Sequence, residues 1–129
     1  MATGLSSSVA NAILDALCRN VAWTPPTTLY VKLHTGDPGA AGTANAATET
    51  TRKQATFGTG ASGGAISNTT AITWTGVGGS EDYTHFTTWD ASSSGSFQFS
   101  GTITANPVTA GDDFTLAVGD LDVAMAVAS

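Results

Sequence analysis

Thr28-Leu29-Tyr30-Val31-Lys32-Leu33-His34-Thr35-Gly36-Asp37-Pro38-Gly39 is the stretch on which the fold reading turns. Leu29, Val31 and Leu33 alternate with Tyr30, Lys32 and His34, the period of two expected of a strand with one buried face. The alternation stops at Gly36-Asp37-Pro38-Gly39, where each residue type supplies turn geometry. A strand is therefore predicted over 29–34, bounded before it by Pro25-Pro26.

Upstream of the prolines the period changes. Val9, Ile13, Leu14, Leu17 and Val21 recur at a spacing near 3.6 and fall on one side of a helix. Ser6, Ser7 or Ser8 can cap its amides, Asp15 and Arg19 stand four apart as an ion pair, and the prolines forbid continuation. The pattern predicts one helix over about 6–20 whose five apolar residues pack on the rest of the domain. Cys18 inside it reads as a small core residue.

Downstream the period of two returns repeatedly. Short strands are predicted at Lys53–Phe57, from Ile66, over Ala71–Thr75, Tyr83–Trp89, Phe97–Thr104, Phe114–Val118 and Leu121–Val127. Gly58–Gly64, Gly76 to Gly79, Asp90–Ser96, Asn106-Pro107, Ala110–Asp113 and Gly119-Asp120 supply the turns, leaving a short Val108 segment between two of them. Strands about ten residues apart with turns between them describe a sandwich or barrel, not βαβ units. The expected fold is mainly β: one domain, 1–129, built as an antiparallel, jelly-roll-like β-sandwich of seven or eight strands with a single N-terminal α-helix.

Residues 39–50 fit neither period. They are almost entirely Ala, Gly, Thr and Asn, with little apolar mass to hold them to a core. The segment reads as a flexible arm or loop, mobile in the isolated protein, and long loops in small domains are commonly contact segments. Gly39, Gly42, Thr43, Asn45, Thr48 and Thr50 are its candidate partner-contact residues.

Composition narrows the function. The chain has 129 residues, 41% hydrophobic and 11% charged, a size that suits one core. Leu, Ile, Val and Phe form a little under about a fifth of it, near the level associated with disorder, but a net charge of -6 is too mild to unfold it by self-repulsion. Ten acidic against four basic residues offers no phosphate-binding stripe, so no nucleic-acid partner is expected. Neither a bilayer-length apolar run nor a signal peptide is evident, which excludes a membrane partner and places folding in the cytosol. One cysteine cannot form an internal disulfide.

The motifs that suggest chemistry fail on context. Gly58-x-Gly60-x-x-Gly63 has dinucleotide-loop spacing, and Gly60-Ala61-Ser62-Gly63-Gly64 has that of a nucleophile elbow. Both need a following helix, and Ala65-Ile66-Ser67-Asn68-Thr69-Thr70 is poor in helix formers. His85, with Glu81 or Asp82, would crowd a catalytic acid and base into five residues. His34 and His85 could hold a transition metal only if strand pairing joined them to a carboxylate, and the Asp112, Asp113, Asp120 and Asp122 set lacks a calcium-loop register. No catalytic, cofactor or metal site is assigned. Asn68-Thr69-Thr70 matches a glycosylation sequon without consequence in a cytosolic product. Trp23, Trp74 and Trp89, with Tyr30 and Tyr83, read as core anchors, with a sugar-stacking platform the alternative if two share an exposed sheet face.

Taken together, the order of Trp23-Thr24-Pro25-Pro26, Thr28–Gly39, Gly42-Thr43-Ala44-Asn45, Glu49–Gly58, Tyr83–Asp90, Thr109-Ala110-Gly111-Asp112 and Gly119–Val123 resembles small Gly/Thr/Ala-rich virion structural proteins of tailed bacteriophages. That family includes head-decoration, minor tail and tail-fibre-like proteins. The resemblance implies a non-enzymatic virion component assembled in the host cytoplasm. Its partners would be the major capsid protein or other virion subunits, and it would form a homo-oligomer, a trimer among the options. A capsid decoration (cement) protein on the outside of the head shell is the first expectation, because a compact domain with one arm can reach adjacent subunits. The alternative is a minor tail or tail-fibre-like protein, with carbohydrate binding as a further role, although the chain lacks the repeats of a fibre shaft.

Overall fold

The computed structural model describes residues 3–128. In chain order it contains α1 (Ser7–Arg19), β1 (Leu29–His34), β2 (Lys53–Ala55), β3 (Ala65–Ser67), β4 (Ile72–Trp74), β5 (Glu81–Trp89), β6 (Phe97–Val108), β7 (Phe114–Leu116) and β8 (Asp122–Ala124). Every strand pair is antiparallel. A four-stranded sheet runs β2-β1-β5-β6, and two ribbons, β3-β8 and β4-β7, complete a mainly β, sandwich-like fold with a helix at its N-terminus.

The strand at 29–34 forms as its period demands. Val31 and Leu33 are fully buried, and Leu33 pairs with Phe86 of β5. Between Tyr83 and His85 the β5-β6 register shifts, with the extra residues on β6, and Tyr83 and Phe86, three apart, both enter the core. There Tyr83 meets Phe114 edge-on with ring centroids 4.9 Å apart, and Phe86 meets Phe99 at 6.0 Å. Trp74, Leu116 and Leu121 from the ribbons close the same cluster.

Five strand expectations are corrected. β6 does not stop before Asn106-Pro107 but continues to Val108, with Pro107 opposite Asp82. β6 is the outer strand of its sheet, the place where a proline's missing N–H is tolerated. β8 is shorter than predicted, three residues at Asp122–Ala124, and β2, β4 and β7 contract to Lys53–Ala55, Ile72–Trp74 and Phe114–Leu116.

The segment before the helix forms a strap along β6. Ser6 N–H donates to the Gln98 carbonyl at 2.8 Å, Ser100 N–H to the Gly4 carbonyl at 2.8 Å, and Leu5 bridges Phe99. The same Ser6 then caps α1, its hydroxyl accepting the Val9 N–H at 3.2 Å. The helix ends at Asn20 in the left-handed conformation, φ 55.

The expected burial of the helix is wrong. No residue of α1 is buried, and Leu14 is 56% exposed and Leu17 79%, with Val21 just beyond at 44%. Of the five, Val9 and Ile13 turn toward the body, with Leu5, Trp23, Pro26 and Val123 around a cavity of about 230 Å³. At 100° per residue the apolar residues span too wide an arc for one shallow contact with β6 to cover. Cys18, read as a core thiol, is exposed.

Candidate functional site

The segment at 39–50 is the first candidate. Backbone and side-chain bonds that its composition does not register tie it to the domain. Asn45 carbonyl accepts Thr35 N–H at 2.9 Å, Ala47 N–H donates to the Leu33 carbonyl at 3.1 Å, and Ala47 is buried. Gly39 N–H is bound by the Asp37 carboxylate at 2.9 Å, and the Asn45 amide donates to the Asp37 carbonyl at 2.8 Å. Thr48 gives both its N–H and its hydroxyl to the Glu81 carboxylate at 2.8 to 2.9 Å. Gly42, at φ 72, lies flat against the Phe97 ring, so close that a Cβ there would sit 2.6 Å from it. Thr43, Asn45, Thr48 and Thr50 are the members of the predicted contact set that remain exposed.

His34 is the anchor beneath this loop. It is fully buried, with Nδ1 2.8 Å from the Ala44 carbonyl and Nε2 2.9 Å from the Thr87 hydroxyl. A carbonyl can only accept, so Nδ1 carries the proton and Nε2 accepts from Thr87. Burial holds the His34 pKa below the ordinary histidine value, and the neighbouring Lys32 and His85 push it the same way against the Ala44 bond.

Phe97 links the loop to the helix. Beyond Gly42, it lines a cavity of about 240 Å³ between Gly39, Ala40 and the strap, and another of about 310 Å³ with Val9, Ala12 and Trp23. The tip of the loop, the strap, α1 and Trp23 therefore border one face of the domain. Thr48 is not brought there; it is tied to Glu81 at the start of β5.

The remaining motifs are structural. Ser62-Gly63-Gly64-Ala65 is a two-residue hairpin, with reciprocal bonds of 3.0 and 3.1 Å and φ of 61 and 78 at its glycines, which explains both glycine motifs. His34 and His85 face each other across β1 and β5, but His85 Nδ1 shares its bond with the Thr84 hydroxyl, and among the described residues no three His, Cys, Asp or Glu cluster to hold a metal. Asp112, Asp113 and Asp120 accept the N–H groups of Thr109, Gly76 and Ala117, as turn carboxylates. Trp74, Tyr83 and Trp89 are buried, so the sugar platform of two aromatics on a sheet face does not form. Trp89 instead packs under Arg52, whose guanidinium carbon lies 4.3 Å from the ring while its nitrogen binds the Ala91 and Ser94 carbonyls.

Asn68 is the residue the sequence reading missed. Its buried amide donates to the Thr70 and Ala117 carbonyls and accepts from Gly119 and Leu121 N–H, at 2.9 to 3.1 Å. All four bonds are made inside the protein. Its sequon marked it only as an acceptor for sugar, a role burial forecloses.

A family model described as "Podophage GP4 fiber I protein gp80", named Gp80, matches residues 4–124. The chain belongs to the Gp80 family. It is thus a bacteriophage virion structural protein, and the Gp80 match runs from the strap through β8. No curated protein matches it significantly.

Proposed function

We propose that the protein is a non-enzymatic subunit of the fibre apparatus of a podophage virion, joined to other virion subunits through the face that carries the 39–50 loop, α1 and Trp23. The single observation that carries this is the Gp80 match over 4–124, because its description is a fibre protein. It favours the tail-fibre-like reading over the capsid decoration expected first. The site geometry supports a structural role: polar groups at the glycine motifs and turn carboxylates are spent on backbone N–H groups of the chain itself. Antibody labelling of intact particles tests the reading. Label confined to a few fibre positions is expected, whereas label spread over the head lattice would restore the decoration role.

A further inference from the structure

We propose that Glu49, Glu81 and the phenol oxygen of Tyr83 hold a hard divalent cation, with calcium the best match, where the 39–50 loop ends against the start of β5. The observation that points to a ligand is the phenol. Tyr83 is fully buried, and its hydroxyl is the buried side-chain polar atom that has no hydrogen-bond partner among the described residues. Native proteins seldom leave such an atom unsatisfied, and an ion or a water is the usual partner where the chain supplies none. A closed circuit of contacts brings two carboxylates to it. Glu81 precedes Tyr83 by two residues on β5 and so shares its side of the strand. Its carboxylate takes the N–H and hydroxyl of Thr48 at 2.8 to 2.9 Å, which sets Glu49 alongside. Glu49 accepts the Thr51 N–H at 3.2 Å, and the Thr51 carbonyl accepts the Trp74 indole N–H at 2.8 Å. Trp74 packs on Phe114 with centroids 6.0 Å apart, and Phe114 on Tyr83 at 4.9 Å. The circuit closes on the phenol, and the charges of Glu81 and Glu49 are the ones that act on it.

These oxygens have capacity to spare. Thr48 makes three contacts to Glu81, which leaves a lone pair on Oε2, and Oε1 of Glu49 makes no hydrogen bond. Both glutamates are half-buried, and among the described residues neither forms an ion pair, so two like charges share a partly desolvated corner of an acidic chain. A divalent cation cancels both. The donors are all oxygens, which suits calcium, and they come from a loop and a strand, a mixed set that calcium's flexible shell accepts more readily than magnesium's strict octahedron. Two carboxylates make a weak site, with a dissociation constant of about 1 mM. The proposal stands independently of the fibre reading.

The full chain, stripped of metal with a chelator, would be melted with and without calcium chloride at matched ionic strength, beside Glu49→Gln, Tyr83→Phe and, as control, Asp82→Asn. Asp82 is exposed and opposes Pro107 on β6. Expected is a rise in wild-type melting temperature of about 4 °C at ten times the dissociation constant. Glu49→Gln should weaken calcium binding by about tenfold or more. Tyr83→Phe should melt like the wild type without calcium and lose most of the calcium response, whereas Asp82→Asn should keep it. Terbium, a calcium mimic whose luminescence is sensitised by a neighbouring aromatic ring, reads occupancy directly even in a variant that melts early. The wild type should luminesce and Glu49→Gln should not. A wild type with neither a calcium shift nor terbium luminescence overturns the proposal, and a water is then the partner of Tyr83. A calcium shift that survives both Glu49→Gln and Tyr83→Phe overturns it too, because the ion then sits elsewhere.

Discussion

The Nε2 atom of His34 lies 2.9 Å from the hydroxyl of Thr87, and that hydroxyl must donate to it because it also accepts the Trp89 indole N–H at 2.8 Å while His34 Nδ1 serves the Ala44 carbonyl. A neutral imidazole thus ties the β1-β5 pair to the 39–50 loop. Its folded pKa lies below the unfolded value, so the folded state binds fewer protons and loses stability as pH falls. The contribution is complete above the unfolded pKa of about 6.5 and declines below it. Melting temperature should drop as pH falls below about 6.5, with amide exchange rising first at Ala44 to Ala47, and His34→Gln should flatten this slope. A wild-type melting curve flat across that window would refute the role of His34.

Asn68→Ala should be among the most damaging single substitutions. It takes the side-chain partner from the Thr70 carbonyl and the Leu121 N–H at the junction of β3, β7 and β8, while the Ala117 carbonyl keeps Asp120 N–H and the Gly119 N–H keeps the Asn68 main-chain carbonyl. A loss of about 3 kcal/mol is expected in urea unfolding.

Gly42→Ala should cost about 1 to 3 kcal/mol, from its positive φ and from collision with the Phe97 ring. Combining it with Phe97→Ala should cost less than the sum of the two changes, since the shared clash is gone. Strict additivity would show that the backbone conformation alone sets the penalty.

Leu14→Asp should leave the melting temperature nearly unchanged, within about 0.5 kcal/mol of stability, because the side chain already faces solvent. Unfolding of this variant would mean that α1 is buried in the protein in solution.

Tyr83→Phe should be neutral or slightly stabilising. The Tyr83 hydroxyl is buried without a hydrogen-bond partner among the described residues, so removing it relieves a desolvation cost. Burial first, then the charges of Glu81 and Glu49, pushes the phenol up to about 12, and an ultraviolet titration of the wild type should show one tyrosine ionising late.

Fold class was legible because Leu29–His34 and the later alternating runs carry their period in side chains that are either clearly apolar or clearly polar. The helix was legible for the same reason, through Ser6, the apolar spacing and Pro25-Pro26. What the helix buries was not, since amphipathicity states that a side is apolar without stating whether its own domain or another copy covers it. The bonds of the 39–50 loop to the main chain of Thr35, Leu33 and Asp37 were not legible, because composition registers side chains only. Asn68 was hidden in the same way: four bonds to distant main chain leave no local pattern. The register shift between β5 and β6 escaped notice because its two extra residues lie on the β6 side, where nothing in the sequence of β5 records them.

The strap at Gly4–Ser6 and the β3-β8 ribbon impose an order on folding. Leu5 finds its place only beside Phe99, and Ala65 only beside Ala124, so neither partnership can begin until most of the chain exists. The hairpin of β5 and β6, whose strands adjoin in sequence, closes a far shorter loop and can template the rest. Until the strap arrives, the outer side of β6 near Phe99 offers unpaired main chain to any passing strand. During synthesis of many copies in one cell, the delay between closing that hairpin and laying down the strap is the interval in which misassembly competes with the native protein.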